Sequence, residues 1–484
     1  MQRTEDTASE PLDAEPRKRR GVNLFEKLPW LKKFCNWRSF QFLLVLPNLA
    51  IFYFFLIAGF FGSPIGNRNI IIIFVWILWW FLLITLMVPF LSRIWCVVCP
   101  FPFFGEWFQR RALIKVRSGK TKGLRNKMFG LNKRWPKALS NIWLQNIGFL
   151  GMCTFSALML TRPIVSLGIL GSIFLLATFL AFVYRLRTFC LYLCPVSGFL
   201  GLYSMASMIA LRCVDPEVCK KECKTKNCRM GGENGWACPW FQYLGKMDRN
   251  NYCGLCMECL KSCPNDNVGL FTRRFCADTE IKGYDESWKA FIMLSLAMIY
   301  AMIFLGPSGT VKDWANVTEV GNWKGFLAYA GILWFTALVA IPAVWALACW
   351  LGQCLSGTKS VPVKDLFRRY SFLLVPLGLM GWIAFSFPLI MVNGSYIVSV
   401  ASDPLGWGWN LFGTAELAWT PVLPEYTVFV QIPLLLVGLV VALKRGYEIA
   451  RTLYPDDRQA IRSLIPVGVV CAGVVVVFLK LFVG

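Results

Sequence analysis

Nine long apolar runs constrain the fold of this chain more than any other feature of its sequence. They lie near 39–62, 70–91, 142–161, 164–184, 290–306, 323–350, 371–392, 427–443 and 464–483. A helix needs about 20 predominantly apolar residues to cross a bilayer, and most of the runs reach that length. The shortest are 290–306 and 427–443. The pattern predicts an all-α polytopic membrane protein with about nine transmembrane helices.

Positive charge is distributed unevenly over the loops between these runs. With the N-terminus inside, the cytoplasmic segments carry 45 of the 50 Lys and Arg residues, and the opposite loops carry four: Arg68, Arg162, Lys312 and Lys324. Such asymmetry is the positive-inside rule. Topology and contact with anionic lipid therefore account for the net charge of +23, and we expect no nucleic-acid partner. We expect a multi-pass protein of a prokaryotic inner membrane with its C-terminus outside.

A tight cysteine run lies between the fourth and fifth apolar runs, on the side predicted to be cytoplasmic. Residues 252–267 read YCGLCMECLKSCPNDN, with Cys253, Cys256, Cys259 and Cys263 at C-x2-C-x2-C-x3-C-P spacing. In two-cluster bacterial ferredoxins this spacing binds [4Fe–4S] clusters, and the fourth cysteine serves the other cluster. A zinc knuckle is the alternative, although zinc sites usually pair two C-x2-C knuckles or add His.

The remaining ligands are expected upstream, where five cysteines fall within 213–240. They are Cys213, Cys219, Cys223, Cys228 and Cys238, the last followed by Pro239. Crossed ligation predicts two sets of four. One set is Cys238, Cys253, Cys256 and Cys259, and the other is Cys219, Cys223, Cys228 and Cys263. The looser upstream spacing leaves two alternatives open, in which Cys213 replaces Cys219 or the module holds one cluster. Cys276 receives no role.

The chain has no histidine, and this absence excludes several cofactors. Haem with His ligands, a Rieske centre and His-bearing copper or zinc sites all need imidazole. We therefore expect two [4Fe–4S] clusters, with quinone as a candidate further cofactor, and neither haem nor flavin. A reducing cytoplasm favours metal binding over disulfides for the grouped cysteines. The isolated cysteines are interpreted as ordinary core or lipid-facing residues: Cys35, Cys153, Cys349, Cys354 and Cys471.

A second cysteine pattern is an internal repeat. WCVVCPFPFFGEWFQRR follows the second apolar run and FCLYLCPVSGFLGLYSM follows the fourth. Each repeat has a hairpin of two spans, then a cysteine pair, then proline. Repeated hairpins normally pack about a pseudo-symmetry axis, so Cys96, Cys99, Cys190 and Cys194 are predicted to form one additional thiolate site. The alternative is two unrelated pairs of buried cysteines.

These motifs together resemble the membrane-bound [4Fe–4S] polyferredoxin family that includes the NapH, NosR and CcoG types. The resemblance rests on CVVCP at 96–100, CLYLCP at 190–195 and CGLCMECLKSCP at 253–264, and it covers about 39–276. It implies two hairpins with Cys-Pro motifs ahead of a cytoplasmic two-cluster domain, in a carrier of electrons or an accessory factor. The first pair is one residue shorter than the CxxxCP of that family, and nothing in the resemblance covers 288–484.

Four consecutive domains follow from these patterns. They are a disordered basic tail (1–38), a four-helix membrane domain (39–212), a cytoplasmic ferredoxin-like bis-[4Fe–4S] module (213–287) and a five-helix membrane domain (288–484). The predicted function is electron transfer between the quinone pool and a redox partner, as a subunit of an oxidoreductase rather than as a stand-alone enzyme. A maturation or metal-reductase factor and a membrane redox sensor are the alternatives. The expected partners are lipid and another oxidoreductase subunit.

Overall fold

The computed structural model describes residues 21–112, 114–305 and 309–483, and most of them are helical. Within these described ranges, eight helices are long and apolar enough to cross a membrane. They are Phe40–Phe61, Ile70–Leu91, Pro163–Val183, Tyr284–Leu305, Trp323–Ser356, Val363–Asn393, Pro424–Leu453 and Asp457–Phe482. The prediction of a mainly helical, multi-pass protein is confirmed for the described part of the chain.

The predicted span at 142–161 is not one helix. It forms Trp143–Thr154 and Ser156–Thr161, which meet at Phe155. The hydroxyl of Thr154 donates to the Leu150 carbonyl at 2.8 Å, a bond that bends helices. The prediction of a continuous helix was therefore wrong here. At about 1.5 Å per residue, the two pieces together still have nearly the length of a ~30 Å hydrocarbon core.

The chain before this broken segment contacts the end of the helix Pro163–Val183. The backbone N–H groups of Leu131 and Lys133 donate to the carbonyls of Phe182 and Val183.

The described chain forms two compact units, each assembled from three stretches of sequence. We call the first the cysteine unit; it comprises the described residues up to 54, 87–145 and 169–278. We call the second the helical unit; it comprises 55–86, 146–168 and the described residues from 279 onward. The predicted four-domain division differs from this arrangement because packing here groups stretches that are distant in sequence.

The cysteine unit consists mostly of short elements. Its helices and helical turns are Leu24–Lys27, Pro29–Asn36, Trp95–Val98, Phe103–Arg110, Lys137–Leu139, Thr188–Tyr192, Pro195–Ser204, Val218–Glu222, Asn227–Met230, Leu244–Lys246 and Glu258–Ser262. Its strands are Ser118–Thr121, Leu124–Asn126, Ile209–Cys213 and Val268–Thr272. The last two strands pair antiparallel, with Cys213 opposite Val268. Their pairing ties together the two ends of the cysteine-rich segment, which we define as 213–267.

Residues 21–38 were predicted to belong to a disordered tail, and the structure differs. They contain the helices Leu24–Lys27 and Pro29–Asn36, and Asn23 forms a bridge with Phe271. Phe25 and Cys35 are buried in the same core as Cys213, Cys228 and Cys253. Burial of apolar side chains in this core explains why residues 21–38 are ordered, although they directly follow the basic run RKRR. Residues 1–20 lie outside the described part of the chain.

The helical unit is built around two strongly buried spans, Tyr284–Leu305 and Val363–Asn393. The indole of Trp382 donates to the Met293 carbonyl at 3.0 Å and so joins them. A Cβ at Gly352 would lie 2.3 Å from the Ser463 carbonyl, so only glycine permits the approach of these two helices. The shorter elements of this unit are Gly66–Arg68, Gly309–Ala315, Val317–Val320 and Ser395–Ser402.

Three ionisable residues lie in the first turns of Tyr284–Leu305. The predicted span began near 290, and the observed start adds Asp285, Glu286 and Lys289 to the helix. All three are buried, and the Lys289 ammonium lies 5.1 Å from the centroid of the Phe149 ring. These residues precede the predicted span 290–306 and belong to the first turns of the observed helix.

Candidate metal centre

Four cysteines form what we call the inner set: Cys238, Cys253, Cys256 and Cys259. Burial raises the pKa of the Cys259 thiol well above its usual range, and its neighbours Cys256, Cys253 and Cys238 raise it further. Burial also raises the pKa of Cys238, with Cys256 and Cys253 adding to the shift. The Trp236 N–H donates to Glu258 Oε2 at 2.8 Å, which places the chain just before Cys238 beside the run 253–259. Ligation of one cluster by these four cysteines stays a prediction.

The outer set is Cys219, Cys223, Cys228 and Cys263. Burial raises the pKa of Cys228 to about 11, and Cys263 and Cys223 act in the same direction. Asn267 connects Cys219, from the upstream part of the segment, with Cys263, from the later run. Its Nδ2 donates to Cys219 Sγ and its backbone N–H to Cys263 Sγ, both at 3.4 Å. Cys263 therefore lies beside the upstream cysteines rather than with its own run.

Cys213 lies next to the outer set as a fifth sulfur. It is buried at the end of the strand Ile209–Cys213, and its hydrogen bond with Cys219 is the largest cause of the raised pKa of the Cys219 thiol. The structure thus brings together both cysteines that the sequence offers for this position, and the alternative in which Cys213 replaces Cys219 stays open.

Backbone amides point at the sulfur atoms of both sets. Cys253 accepts from the N–H of Leu255, and Cys256 accepts from that of Glu258. Leu255 and Met257 adopt left-handed φ values of 50° and 61°, although neither is glycine. Turns in which left-handed residues alternate with ordinary ones direct successive backbone N–H groups to one side. They form anion-binding concavities, including many Fe–S sites. The local backbone fits a negatively charged thiolate group.

The upstream cysteines have the same kind of donor. Trp240 and Gln242 donate backbone N–H groups to Cys238, and Leu244 and Arg229 donate to Cys228. These hydrogen bonds lower the thiol pKa against the effect of burial and favour the thiolate, which is the form that ligates metal. Hydrogen bonds to cluster sulfur are also one of the means by which a protein sets a reduction potential.

Buried cations surround the inner set. Arg93 and Arg212, which are 1% and 2% exposed, both act to lower the pKa of Cys253. Arg187 is 3% exposed and acts on Cys256 in the same way. A buried charge is costly unless it is paired. Arg187 is paired with Glu106 and Arg212 with Asp278, whereas the hydrogen-bond acceptors of Arg93 are Asn251 and Ser197. Thiolates bound to iron would supply negative charge beside Arg93, which is a second feature that fits a cluster.

Within the described residues, no three Cys, Asp or Glu side chains converge closely enough to ligate one metal ion. A zinc knuckle needs four ligands around a single ion, with Zn–S distances of about 2.3 Å. A cubane differs because each thiolate binds a different iron atom, so its sulfur ligands stand farther apart. The spacing of the described cysteines therefore disfavours the zinc alternative. The assignment of [4Fe–4S] cubanes stays a prediction.

The two Cys-Pro repeats have matching local structure. Cys96 lies in the helix Trp95–Val98, Cys99 ends it, and the helix Phe103–Arg110 follows. Cys190 lies in Thr188–Tyr192, and Cys194 caps the helix Pro195–Ser204 by accepting the Ser197 N–H at 3.4 Å. Pro195 is the first residue of its helix, a position that the fixed φ of proline suits, whereas Pro100 lies in the turn before Phe103–Arg110.

All four cysteines of the repeats line one cavity of about 20 Å³. Burial raises the pKa of Cys99 well above its usual range, and Cys190, Cys194 and Cys96 add to the effect. The structure thus places these residues together rather than on opposite flanks. We call them the repeat set. A cavity of this volume accommodates about one water molecule or ion.

Each repeat also carries a buried arginine three residues before its first cysteine. These are Arg93 in RIWC and Arg187 in RTFC. Arg187 donates to both Glu106 carboxylate oxygens, at 2.7 and 3.0 Å, and to the Cys96 carbonyl at 2.6 Å. We did not infer this role from the sequence, although extending the repeat by three residues would have revealed it.

The three sets are neighbours in a definite order. Cys228 of the outer set contributes to the raised pKa of Cys259 in the inner set. Cys96 of the repeat set contributes to that of Cys253, also in the inner set. Cys219, Cys223 and Cys263 of the outer set are half-buried, as are Cys238 and Cys259 of the inner set, whereas Cys253 and Cys256 are buried. The cysteines therefore lead from a more solvated outer set, through an inner set with two buried members, to the repeat set.

Of the isolated cysteines, Cys35, Cys153, Cys349 and Cys471 are buried and Cys354 is exposed. Cys276 is buried, and its backbone N–H donates to the Ala206 carbonyl at 2.9 Å.

Comparison of the chain with family models, with characterised proteins and with solved structures finds no match. The resemblance to membrane polyferredoxins therefore rests on the sequence motifs alone.

Proposed function

We propose that this protein is a membrane-bound electron carrier that uses two [4Fe–4S] clusters, one on the inner set and one on the outer set. The observation that carries the proposal is that Asn267 donates to both Cys219 and Cys263, which supports the predicted crossed grouping of the eight cysteines. Spacing of this type belongs to two-cluster ferredoxin modules. When bound, the clusters would supply one-electron chemistry, which no side chain of this chain provides by itself.

The protein's own residues position and insulate these groups. Backbone N–H donors from Leu255, Glu258 and Trp240 fix the orientation of the thiolates. Trp240 and Leu255, which are 1% and 2% exposed, keep water away from the inner set. Exclusion of water strengthens the interaction between the thiolates and the buried arginines. The outer set keeps partial contact with solvent and is the natural entry or exit point for electrons.

Quinone and an oxidoreductase partner belong to the same proposal. Eight apolar helices support association with a membrane, and a lipid-soluble carrier would be reached within it. The resemblance to NapH, NosR and CcoG types supports a role between quinol and a redox partner. The positive-inside asymmetry of 45 to 4 supports a cytoplasmic N-terminus and an extracytoplasmic C-terminus.

The decisive experiment is anaerobic iron and sulfide analysis of the purified full chain, together with electron paramagnetic resonance after reduction. Two clusters predict about eight iron and eight sulfide per chain. Four iron per chain would reduce the proposal to one cluster, and the absence of acid-labile sulfide would overturn it. Labelling of cysteines introduced at 120 and 315 in intact cells tests the orientation, since only position 315 is expected to react.

A second candidate function, as a metal-handling or maturation factor, is favoured by the repeat set. Four thiols line one small cavity there, and thiolates are the ligands that soft metal ions prefer. No three of the described cysteines converge on one ion position, so binding an ion would require these thiols to move closer together. Copper bound per purified chain would support it. If the four residues form one site, the double substitution Cys99→Ser/Cys194→Ser should be no more damaging than either single one. Additive defects would contradict a shared site.

A further inference from the structure

A large basic cavity lies beside the outer set in the cysteine unit. Its volume is about 610 Å³. Seven cationic side chains line it: Lys122, Arg125, Arg134, Lys137, Arg185, Lys226 and Arg229. Among the described residues of its lining there is no carboxylate. A surface of one sign of charge attracts ligands of the opposite sign and accelerates their association.

This concentration of charge is a property of the sequence as well as of the fold. No Asp or Glu occurs between Glu106 and Asp215. All charged side chains of the hairpin formed by Ser118–Thr121 and Leu124–Asn126 are therefore cationic, and Lys122 and Arg125 are exposed on it. The hairpin is held against the cysteine-rich segment because Arg125 Nη1 donates to Asn227 Oδ1 at 2.7 Å.

The cavity wall is formed in part by the segment that holds Cys228. That cysteine lies in the short helix Asn227–Met230, and three of the neighbouring residues, Lys226, Arg229 and Met230, line the cavity. The wall of the cavity is thus also the covering of the outer set. A partner bound here would be separated from those cysteines by little more than one layer of side chains.

Building on the proposed function, we propose that this cavity and its rim form the docking surface for an acidic one-electron carrier protein of the ferredoxin or flavodoxin class. One electron passes between the reduced carrier and the group held by the outer set. The carrier is oxidised by one electron and that group is reduced by one, no bond forms or breaks, and no proton moves.

The extent of the charge favours a protein over a small anion. Exposed cations continue beyond the cavity, with Lys120 and Lys127 on the hairpin and Lys224 beside Thr225. A nucleotide would occupy the cavity alone, and a nicotinamide would deliver a hydride for which no acceptor is described. A protein carrier docked next to the half-buried outer set would instead exchange single electrons with it, as the proposed function requires.

The test uses the full chain in nanodiscs of neutral phosphatidylcholine, with a purified acidic [2Fe–2S] ferredoxin as the probe. The test variant is Lys122→Glu/Lys137→Glu/Lys226→Glu, which leaves the Arg125 hydrogen bond intact. The matched control, Lys27→Glu/Lys33→Glu/Lys359→Glu, makes the same change in net charge at exposed lysines outside the cavity. Stopped-flow absorbance follows oxidation of the reduced ferredoxin, and thermophoresis measures equilibrium binding of oxidised ferredoxin.

At low ionic strength we expect the test variant to slow the reaction by on the order of tenfold or more and to weaken binding in parallel. The control variant should change both by less than about twofold, and added salt should reduce the difference between them. The single substitution Lys226→Glu gives an intermediate effect and serves if the triple variant is poorly folded. Equal effects of the test and control variants would overturn the docking surface.

Two further measurements separate this proposal from others. If dithionite still bleaches the iron–sulfur absorbance of a chain that shows no charge-dependent reaction with ferredoxin, the docking surface is wrong and the proposed function stands. If the chain holds no iron, the function fails, and binding of oxidised ferredoxin still tests the surface. If the test variant loses co-purifying anionic phospholipid while ferredoxin binding is unchanged, the cavity binds lipid headgroups and the proposal is wrong.

Discussion

The inner and outer cysteine sets differ mainly in what balances the negative charge of their thiolates. Cys253 and Cys256 are 8% and 6% exposed, and the cations beside them are buried arginines. Three of the four outer cysteines are half-buried, and the lysines near them, such as Lys220 and Lys224, are exposed. Water screens charge at the outer set, whereas the protein itself must balance charge at the inner set.

This difference has consequences for stability and for function. A buried charge that loses its partner is strongly destabilising, while an exposed ion pair contributes little. Substitutions around the inner set should therefore affect folding and reduction potential, and substitutions around the outer set should affect mainly exchange with a partner. Three of the predictions below compare a residue near the inner set with one near the outer set, and one follows a buried carboxylate through acid.

The largest difference is expected in iron content. Cys256→Ser should remove about four of about eight irons, because no other cysteine is placed to replace a buried ligand of the inner set. Cys219→Ser should retain nearly all the iron, since Cys213 lies within hydrogen-bond distance of it. The double substitution Cys213→Ser/Cys219→Ser should then lose about four. Equal iron loss in the two single variants would show that Cys213 does not replace Cys219.

The next largest difference concerns ion pairs. Glu106→Gln leaves Arg187, which is 3% exposed, without its carboxylate partner, and should cost about 3–5 kcal/mol of stability. Glu217→Gln breaks the exposed pair with Lys221 and should cost about 0.5 kcal/mol or less. Thermal unfolding in detergent, followed by tryptophan fluorescence, measures both. A similar cost for the two variants would mean that Arg187 finds other compensation.

The two ligand sets stay predictions from the sequence, which offers them because ligand spacing is a local property. The buried network was harder to predict. Arg187 and Glu106 are 81 positions apart, and their contact depends on how the repeats pack. Their only sequence signal is the arginine three residues before the first cysteine of each repeat.

Two other differences have similar causes. The break at Phe155 has neither glycine nor proline to indicate it and lies next to Thr154, whose hydroxyl donates to the Leu150 carbonyl. A Cβ at Gly254 would lie 2.0 Å from Trp240 Nε1. Packing against a distant indole therefore explains this glycine, and no local pattern reveals such a neighbour.

A smaller effect is expected from acid. Burial alone would raise the pKa of Glu106, but Arg110 and Arg187 outweigh it and hold the pKa at about 2, below the usual 4.5. A depressed carboxyl pKa contributes stability that is complete above pH 4.5 and is lost as the pH falls toward 2. The contribution is about 3 kcal/mol. Unfolding temperatures between pH 6 and pH 3 should fall less steeply in Glu106→Gln than in the unmodified chain, and parallel curves would contradict the assignment.

The smallest effect, and the most specific for function, concerns Arg93. Its guanidinium donates to the Asn251 carbonyl and to Ser197, and it lies 4.2 Å from the centroid of the Trp240 ring. None of these partners is a carboxylate, and among the described residues its Nε has no partner. The positive charge therefore acts on the nearby thiolates, since Arg93 lowers the pKa of both Cys194 and Cys253.

Removing this charge should make reduction of the inner cluster harder, because an added electron would no longer be stabilised by the buried cation. Arg93→Gln should therefore lower the inner reduction potential at unchanged iron content, and Arg93→Lys should restore much of it. Lys226→Gln at the outer set should have a smaller effect, since water screens that charge. Redox titration monitored by electron paramagnetic resonance measures all three variants. If Arg93→Gln and Arg93→Lys shift the potential equally, hydrogen bonding and packing, rather than charge, are what Arg93 provides to the inner set.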